Sequence, residues 1–289
     1  GQGMETSFAQ IPNDVLGIPV ARIRVLHGDT APTPFSSGTY ASRATVMSGG
    51  AIATACKELL PRIQSIAAYL MGVDPQTVAL VEGFAVAGEK SIPLSQVGGA
   101  WYLTPQDLPE NVHLGGLEVS RAYKPKVDTG TFTYATHAVV VAVDTQTGEV
   151  EILDYVVVED CGTMVNPMIV EGQTIGGIAQ GIGTAMYEES PYDDQGQPLA
   201  STLADYILPG ATEVPRIRIE HFETPSPHTE FGAKGVGEGG AIAPPAVIFN
   251  AVNDALRGTG AAEVLMTPLT PRRLLKALEG AKPQQELVK

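Results

Sequence analysis

The chain has 289 residues, 44% of them hydrophobic and 17% charged, enough for a sizeable core in one large domain or two ordinary ones. Its net charge of −14, with no basic patch, opposes binding to nucleic acid, which requires cations to neutralise phosphates. No apolar run approaches the length of a membrane span, and the 32 glycines and 22 prolines are scattered, which implies many loops rather than a disordered tract.

The first helix is expected over Ser7, Phe8, Ile11, Val15 and Leu16, ended by Gly17 and Pro19. Residues 22–27 alternate polar and apolar, as a half-buried strand would, and residues 31–39 form an extended loop. A small, hydroxylated segment, Gly38-Thr39-Tyr40-Ala41-Ser42-Arg43, leads into a long helix carrying Val46, Ile52, Cys56 and Leu60. Pro61 should kink that helix, which resumes over residues 63–71. Such a segment is an ordinary helix cap or, with its free backbone N–H groups and hydroxyls, an anion-binding end.

Between residues 75 and 116 the pattern breaks into short strands and turns. Residues 131–144 and 149–159, joined by Thr145-Gln146-Thr147-Gly148, form a β-hairpin whose apolar runs place it centrally in a sheet. His137 reads as a structural histidine. The two cysteines, Cys56 and Cys161, match no zinc or iron–sulfur spacing and read as small buried hydrophobes in a reducing, cytoplasmic setting.

A helix begins at Asn166-Pro167 and contains Gly172, Gly176, Gly177, Gly181 and Gly183. Each glycine costs a helix about 1 kcal/mol relative to alanine, so another backbone or a flat ligand must pack closely there. Gln173 and Gln180 fall two turns apart on one side. Residues 193–196 form a surface turn, residues 216–222 alternate as a strand, and residues 246–256 and 271–278 are helical. The tail from residue 280 should fray.

Before the penultimate helix stands Gly232-Ala233-Lys234-Gly235-Val236-Gly237-Glu238-Gly239-Gly240. Its glycines allow a tight turn and close approach to a ligand. Glu238 is either a solvated loop glutamate or a carboxylate desolvated against the apolar helix that follows, which would raise its pKa and suit it to general-base work. Residues 235–240 also match a dinucleotide-binding glycine pattern. The preceding strand lies too far upstream, behind a loop holding Pro225 and Pro227, for a βαβ unit.

Four separated segments carry a resemblance together. They are Gly1-Gln2-Gly3, the stretch Gly38 to Arg43, Gly176-Gly177-Ile178-Ala179-Gln180-Gly181-Ile182-Gly183, and Gly232 to Glu238. In this order the chain resembles the C-terminal half of the molybdopterin-binding large subunit of the xanthine dehydrogenase, aldehyde oxidase and carbon monoxide dehydrogenase family.

The resemblance implies hydroxylation of an aldehyde or N-heterocyclic carbon, a small-molecule substrate, with water-derived oxygen at a molybdenum–molybdopterin centre. Glu238 matches the family's catalytic general base beside the metal. Gln2 and Gly3 match a pterin-contacting loop. Ala41 matches a residue whose backbone lies near molybdenum, Ser42, Arg43 and Ala44 continue that turn, and Gln180 matches a glutamine that reaches the cofactor. The stretch from Gly38 to Arg43 looks bacterial, which implies the cytosine dinucleotide form.

Electrons would leave through 2Fe-2S and FAD groups on an iron–sulfur subunit and an FAD subunit, and the family's N-terminal half of the molybdenum subunit would be a further partner. The chain should therefore be one inactive piece of a larger assembly. A non-catalytic scaffold fragment of such a complex is the alternative. Periodicity and resemblance together imply an α+β fold with mixed sheets, long buried helices and two subdomains. These span residues 1–128 and 129–289, the second carrying the catalytic glutamate loop, with the boundary around residues 127–131.

Overall fold

A computed structural model describes residues 1–36, 38–112, 115–127 and 132–279. The expected frayed tail and most of the expected boundary segment lie outside them. The fold is α+β. It resolves into two compact units: Gly1–Thr131, Thr163–Asn166 and Pro225–Lys234 form unit 1, while Phe132–Gly162, Pro167–Thr224 and Gly235–Lys289 form unit 2.

Unit 1 is built on two packed helices, α1 (Met4–Leu16) and α2 (Ala44–Met71). Gly17 ends α1 because its left-handed φ of 60° lets its N–H reach back to the Asn13 carbonyl at 2.9 Å. α2 buries Val46, Ala53, Ile63, Ile66 and Ala67, and it continues through Pro61 as one element. Strands β1 (Ala79–Val81), β2 (Phe84–Ala87) and β3 (Lys90–Pro93) form an antiparallel meander, followed by α3 (Leu94–Leu103). The core of this unit gathers Leu16, Ile66, Val78, Ala85 and Val97.

Residues 22–27 are not a strand. Val20–Arg22 is a 3₁₀ turn, and the segment after it has no strand partner among the described residues. The half-buried Ile23 and Val25 do alternate with exposed neighbours, but burial on one side without a hydrogen-bonding strand leaves only extended chain. Helix α3 replaces part of the expected run of short strands.

Unit 2 holds a mixed three-stranded sheet in the order β4-β5-β6. β4 (Tyr134–Val143) and β5 (Val150–Asp160) form the antiparallel hairpin, with an irregularity between Val140 and Val141. β6 (Ile217–His221) runs parallel to β5, so β5 is the central strand. α4 (Pro167–Met186) packs on α5 (Gly239–Leu256), and α5 packs on β4. The interior is apolar: Tyr155, Val157, Ile178, Ile182, Ile248 and Val252 are wholly buried. The last helix, α6 (Pro271–Leu278), opens as Thr270-Pro271 dictates, the Thr270 hydroxyl accepting the Arg273 N–H at 3.3 Å.

Both cysteines are buried and unbridged, and burial pushes the Cys161 thiol up to about 11. His137 donates to or accepts from the Tyr155 hydroxyl at 2.8 Å inside unit 2, and burial lowers its pKa, as suits a structural histidine. Among the described residues no cluster of three His, Cys, Asp or Glu side chains could hold a metal ion, and no helix is long and apolar enough to cross a membrane.

Candidate active site

The expected site residues divide between the two units. In unit 1, Gln2 Nε2 donates to Thr39 Oγ1 at 3.0 Å, which ties the N-terminal loop to the turn before α2. Between them lies a cleft of about 560 Å³ whose lining includes Gln2, Gly3, His27, Gly38, Thr39 and Ala44. The turn itself is unusual. Three non-glycine residues have positive φ among the described residues, and two of them are Ala41 (51°) and Ser42 (54°).

A left-handed conformation costs an L-residue roughly 1–2 kcal/mol, and its persistence at two consecutive positions marks a place where backbone direction matters. Ser42 turns left-handed where Arg43 turns right-handed, the combination that points successive N–H groups into one concavity.

The two helices that start here leave their first-turn donors without side-chain caps. Gly3 before α1 has φ 81° and no side-chain cap bond, and Arg43 before α2 has none either. A hydroxyl cap at α2 was the ordinary expectation, but Thr39 instead takes the Gln2 amide, and Arg43 lies with its guanidinium 5.1 Å over the Tyr40 ring. A Cβ on Gly38 would meet nothing within 4 Å, so the cradle is open there. The acidic group in the cleft, Glu5, is paired with His27 at 3.0 Å. Uncapped amides, with the Glu5 carboxylate tied to His27, form a donor-rich hollow that fits an anionic, phosphate-bearing pterin.

In unit 2, Glu238 occupies the cap position of α5, with the Gly239 N–H on the Val236 carbonyl at 3.1 Å and the Ala241 N–H on the Glu238 carbonyl at 3.0 Å. Glu238 is exposed. Burial by this chain therefore does not desolvate it, contrary to one of the two sequence readings. The buried apolar side chains of α5 are Pro244, Ile248, Val252 and Leu256, further along the helix, and Ile242 in the first turn is itself exposed. No strand leads directly into residues 235–240, so the dinucleotide pattern lacks its βαβ setting.

Gln180 is exposed on α4. The helix glycines around it divide into two kinds. A Cβ on Gly177 would lie 2.9 Å from the Gly240 Cα, and one on Gly181 would lie 2.6 Å from Pro244 Cγ, so these allow α4 and α5 to cross closely. Gly172 and Gly176 meet nothing within 4 Å. Gln180 and Glu238 thus ride on two helices locked together at a glycine contact.

Unit 2 thus combines a mixed sheet with two closely crossing helices, and unit 1 carries the donor-rich hollow. Residues 1–215 match the family of molybdopterin cofactor-binding domains. The chain belongs to that family. It is 37% identical over 97% of its length to the nicotine 6-hydroxylase large subunit of Paenarthrobacter nicotinovorans, and 38% identical over 96% to the carbon monoxide dehydrogenase large chain of Hydrogenophaga pseudoflava. Among solved structures, quinoline 2-oxidoreductase from Pseudomonas putida 86 superposes with a TM-score of 0.87 at 38% identity, covering 98% of this chain and 36% of that one. A Cu,Mo carbon monoxide dehydrogenase superposes at 0.84 with 36% identity, covering 96% of this chain and 34% of that one. The chain spans about a third, 34%, of the length of the two curated relatives named.

Proposed function

We propose that this chain is the C-terminal part of the molybdenum-binding large subunit of a molybdenum hydroxylase, oxidising an aldehyde or N-heterocyclic carbon with water-derived oxygen. The observation that carries this reading is the pair of consecutive left-handed residues, Ala41 and Ser42, in a segment that belongs to the molybdopterin-binding family. When bound, the molybdenum–pterin group supplies the oxygen-transfer and two-electron chemistry.

The chain's own residues hold and serve that group. Gln2, Gly3, Ser42, Arg43 and Ala44 would present donors to the pterin and its phosphates, the Ala41 backbone would lie near the metal, and Gln180 would contact the cofactor. Glu238 is the general base and takes one proton onto its carboxylate as the substrate carbon is hydroxylated. The cytosine dinucleotide form, 2Fe-2S and FAD groups on partner chains, an N-terminal portion of the molybdenum subunit, and a cytoplasmic setting complete the proposal. Its two sequence subdomains are residues 1–128 and 129–289. The relatives named as a large subunit and a large chain support the reading of this chain as part of a large subunit.

The test is Glu238→Gln in the complete enzyme. The substitution keeps shape and removes basicity, so turnover should fall at least ~10²-fold while molybdopterin content stays the same. Unchanged turnover would remove Glu238 from the mechanism.

A further inference from the structure

The inward face of the unit 2 sheet is apolar along most of its length, but it ends in a buried acid. Glu159, the penultimate residue of β5, is 2% exposed. One of its oxygens, Oε1, accepts the Thr174 hydroxyl from α4 and lies 3.3 Å from His221 Nδ1 on β6, within ion-pair reach but without hydrogen-bond geometry. The other oxygen, Oε2, is buried and has no hydrogen-bond partner among the described residues. That oxygen stands 3.9 Å from the point a Cβ on Gly239 would occupy, with Thr133 Cγ2 at 3.4 Å from the same point. The buried carboxyl therefore forms the floor beneath the residue that follows Glu238.

Thr174 links the same carboxyl to the helix crossing. Its backbone carbonyl presses where a Cβ on Gly240 would stand, and three residues later Gly177 meets Gly240 again. The Val170 carbonyl lies 3.0 Å from the Thr174 hydroxyl oxygen, so the single proton of that hydroxyl sits between two acceptors. An apolar residue at position 159 would fill the core at less cost, since burying a carboxyl with one oxygen unsatisfied is unfavourable. A local violation of this kind beside a catalytic segment is where a positioning role belongs.

We propose that Glu159 is the positioning residue of the Glu238 turn: from beneath Gly239, and through Thr174, it fixes the α4–α5 crossing that carries Glu238. The inference rests on reading Glu238 as the general base. It assigns Glu159 no contact with substrate or cofactor.

The test uses Glu159→Gln and Thr174→Val in the complete complex. Hydrogen exchange at the amides of Gly239, Gly240 and Ala241 should accelerate roughly tenfold in either variant, with the amides of β5 and β6 still protected. Turnover per bound molybdopterin should drop on the order of tenfold with KM unchanged. In a Glu238→Gln background, Glu159→Gln should cost no further turnover.

Unchanged exchange at residues 239–241 would overturn the inference. So would an equal rate loss with and without the Glu238 carboxylate, which would make Glu159 a general structural residue. Full turnover in Glu238→Gln together with accelerated exchange in Glu159→Gln would instead sink the general-base reading and leave the hold of Glu159 on the turn intact.

Discussion

At the scale of single residues, Glu159 and Glu238 reverse what an apolar-inside rule expects: the acid read as catalytic is exposed, and an acid inside a strand is buried. Burial raises the Glu159 pKa above the ordinary glutamate value, opposed by the Thr174 hydroxyl and by His221. Asp160 at the end of β5 and Cys161 just after it are the titratable groups that follow it in sequence, and Glu159 in turn helps hold the Cys161 thiol up. A carboxyl whose pKa is raised by folding contributes stability that is fully present below its unfolded value and is lost as pH rises through the folded value. Glutamine has no such loss. The thermal midpoint of Glu159→Gln relative to wild type should therefore become steadily more favourable as pH increases above about 4.3. Melting curves across pH check this, and a difference independent of pH would mean that Glu159 does not titrate with folding.

Glu159 was invisible in the sequence because it closes an ordinary hairpin strand. Its partners Thr174 and His221 lie on other elements and meet it only once α4 and β6 cover β5. Glu238 was legible through its glycines and the family resemblance, but its exposure was not. Nothing in the local sequence says which way the first turn of a helix faces.

The elements show where periodicity carries information and where it fails. α1, α4, α6 and the β4–β5 hairpin lie close to where apolar spacing and turn residues put them, because each buries a face against a partner the pattern implies. By contrast, α5 starts at Gly239, well before the expected residue 246, and runs through Pro244 and Pro245. Residues 22–27 carried a strand pattern without a neighbouring strand to pair with. α3 escaped detection because Gly98 and Gly99 interrupt it and it buries only Val97.

The glycines of α4 were read as a packing or ligand face, and the structure separates the two uses. Gly177 needs its missing side chain, since a Cβ would stand 2.9 Å from the Gly240 Cα, whereas Gly176 faces open space. In the purified chain, Gly177→Ala should lower stability by about 1–3 kcal/mol through overpacking. Gly176→Ala should raise it by about 0.5–1 kcal/mol, as alanine does in an exposed helix. Denaturant titration reads both. If Gly176→Ala is stabilising and yet lowers molybdopterin content in the complex, the open face of α4 lies against the cofactor. An equal loss of stability in both variants would contradict the division.

At the scale of the whole molecule, each unit encloses its own apolar core, yet the chain also exposes large apolar side chains, among them Phe35 (97%), Leu265 (77%) and Phe132 (71%). Side chains of that size at the surface are ordinary singly, but here they accompany a sequence that matches only a third of each relative, 34% in the two curated ones. The donor-rich hollow of unit 1 supplies backbone groups and helix starts, features suited to an anion rather than to choosing a substrate. On the proposed function, the 289-residue chain purified alone should turn over neither aldehydes nor N-heterocycles. Co-purified with iron–sulfur and flavin chains, it should carry molybdenum near one atom per chain, release a fluorescent pterin on denaturation, and be active. Mass spectrometry of the bound nucleotide would show the cytosine dinucleotide. Turnover by the isolated chain would refute the need for partners, while an intact complex devoid of molybdenum and pterin would make this domain a scaffold that kept its fold and lost its chemistry.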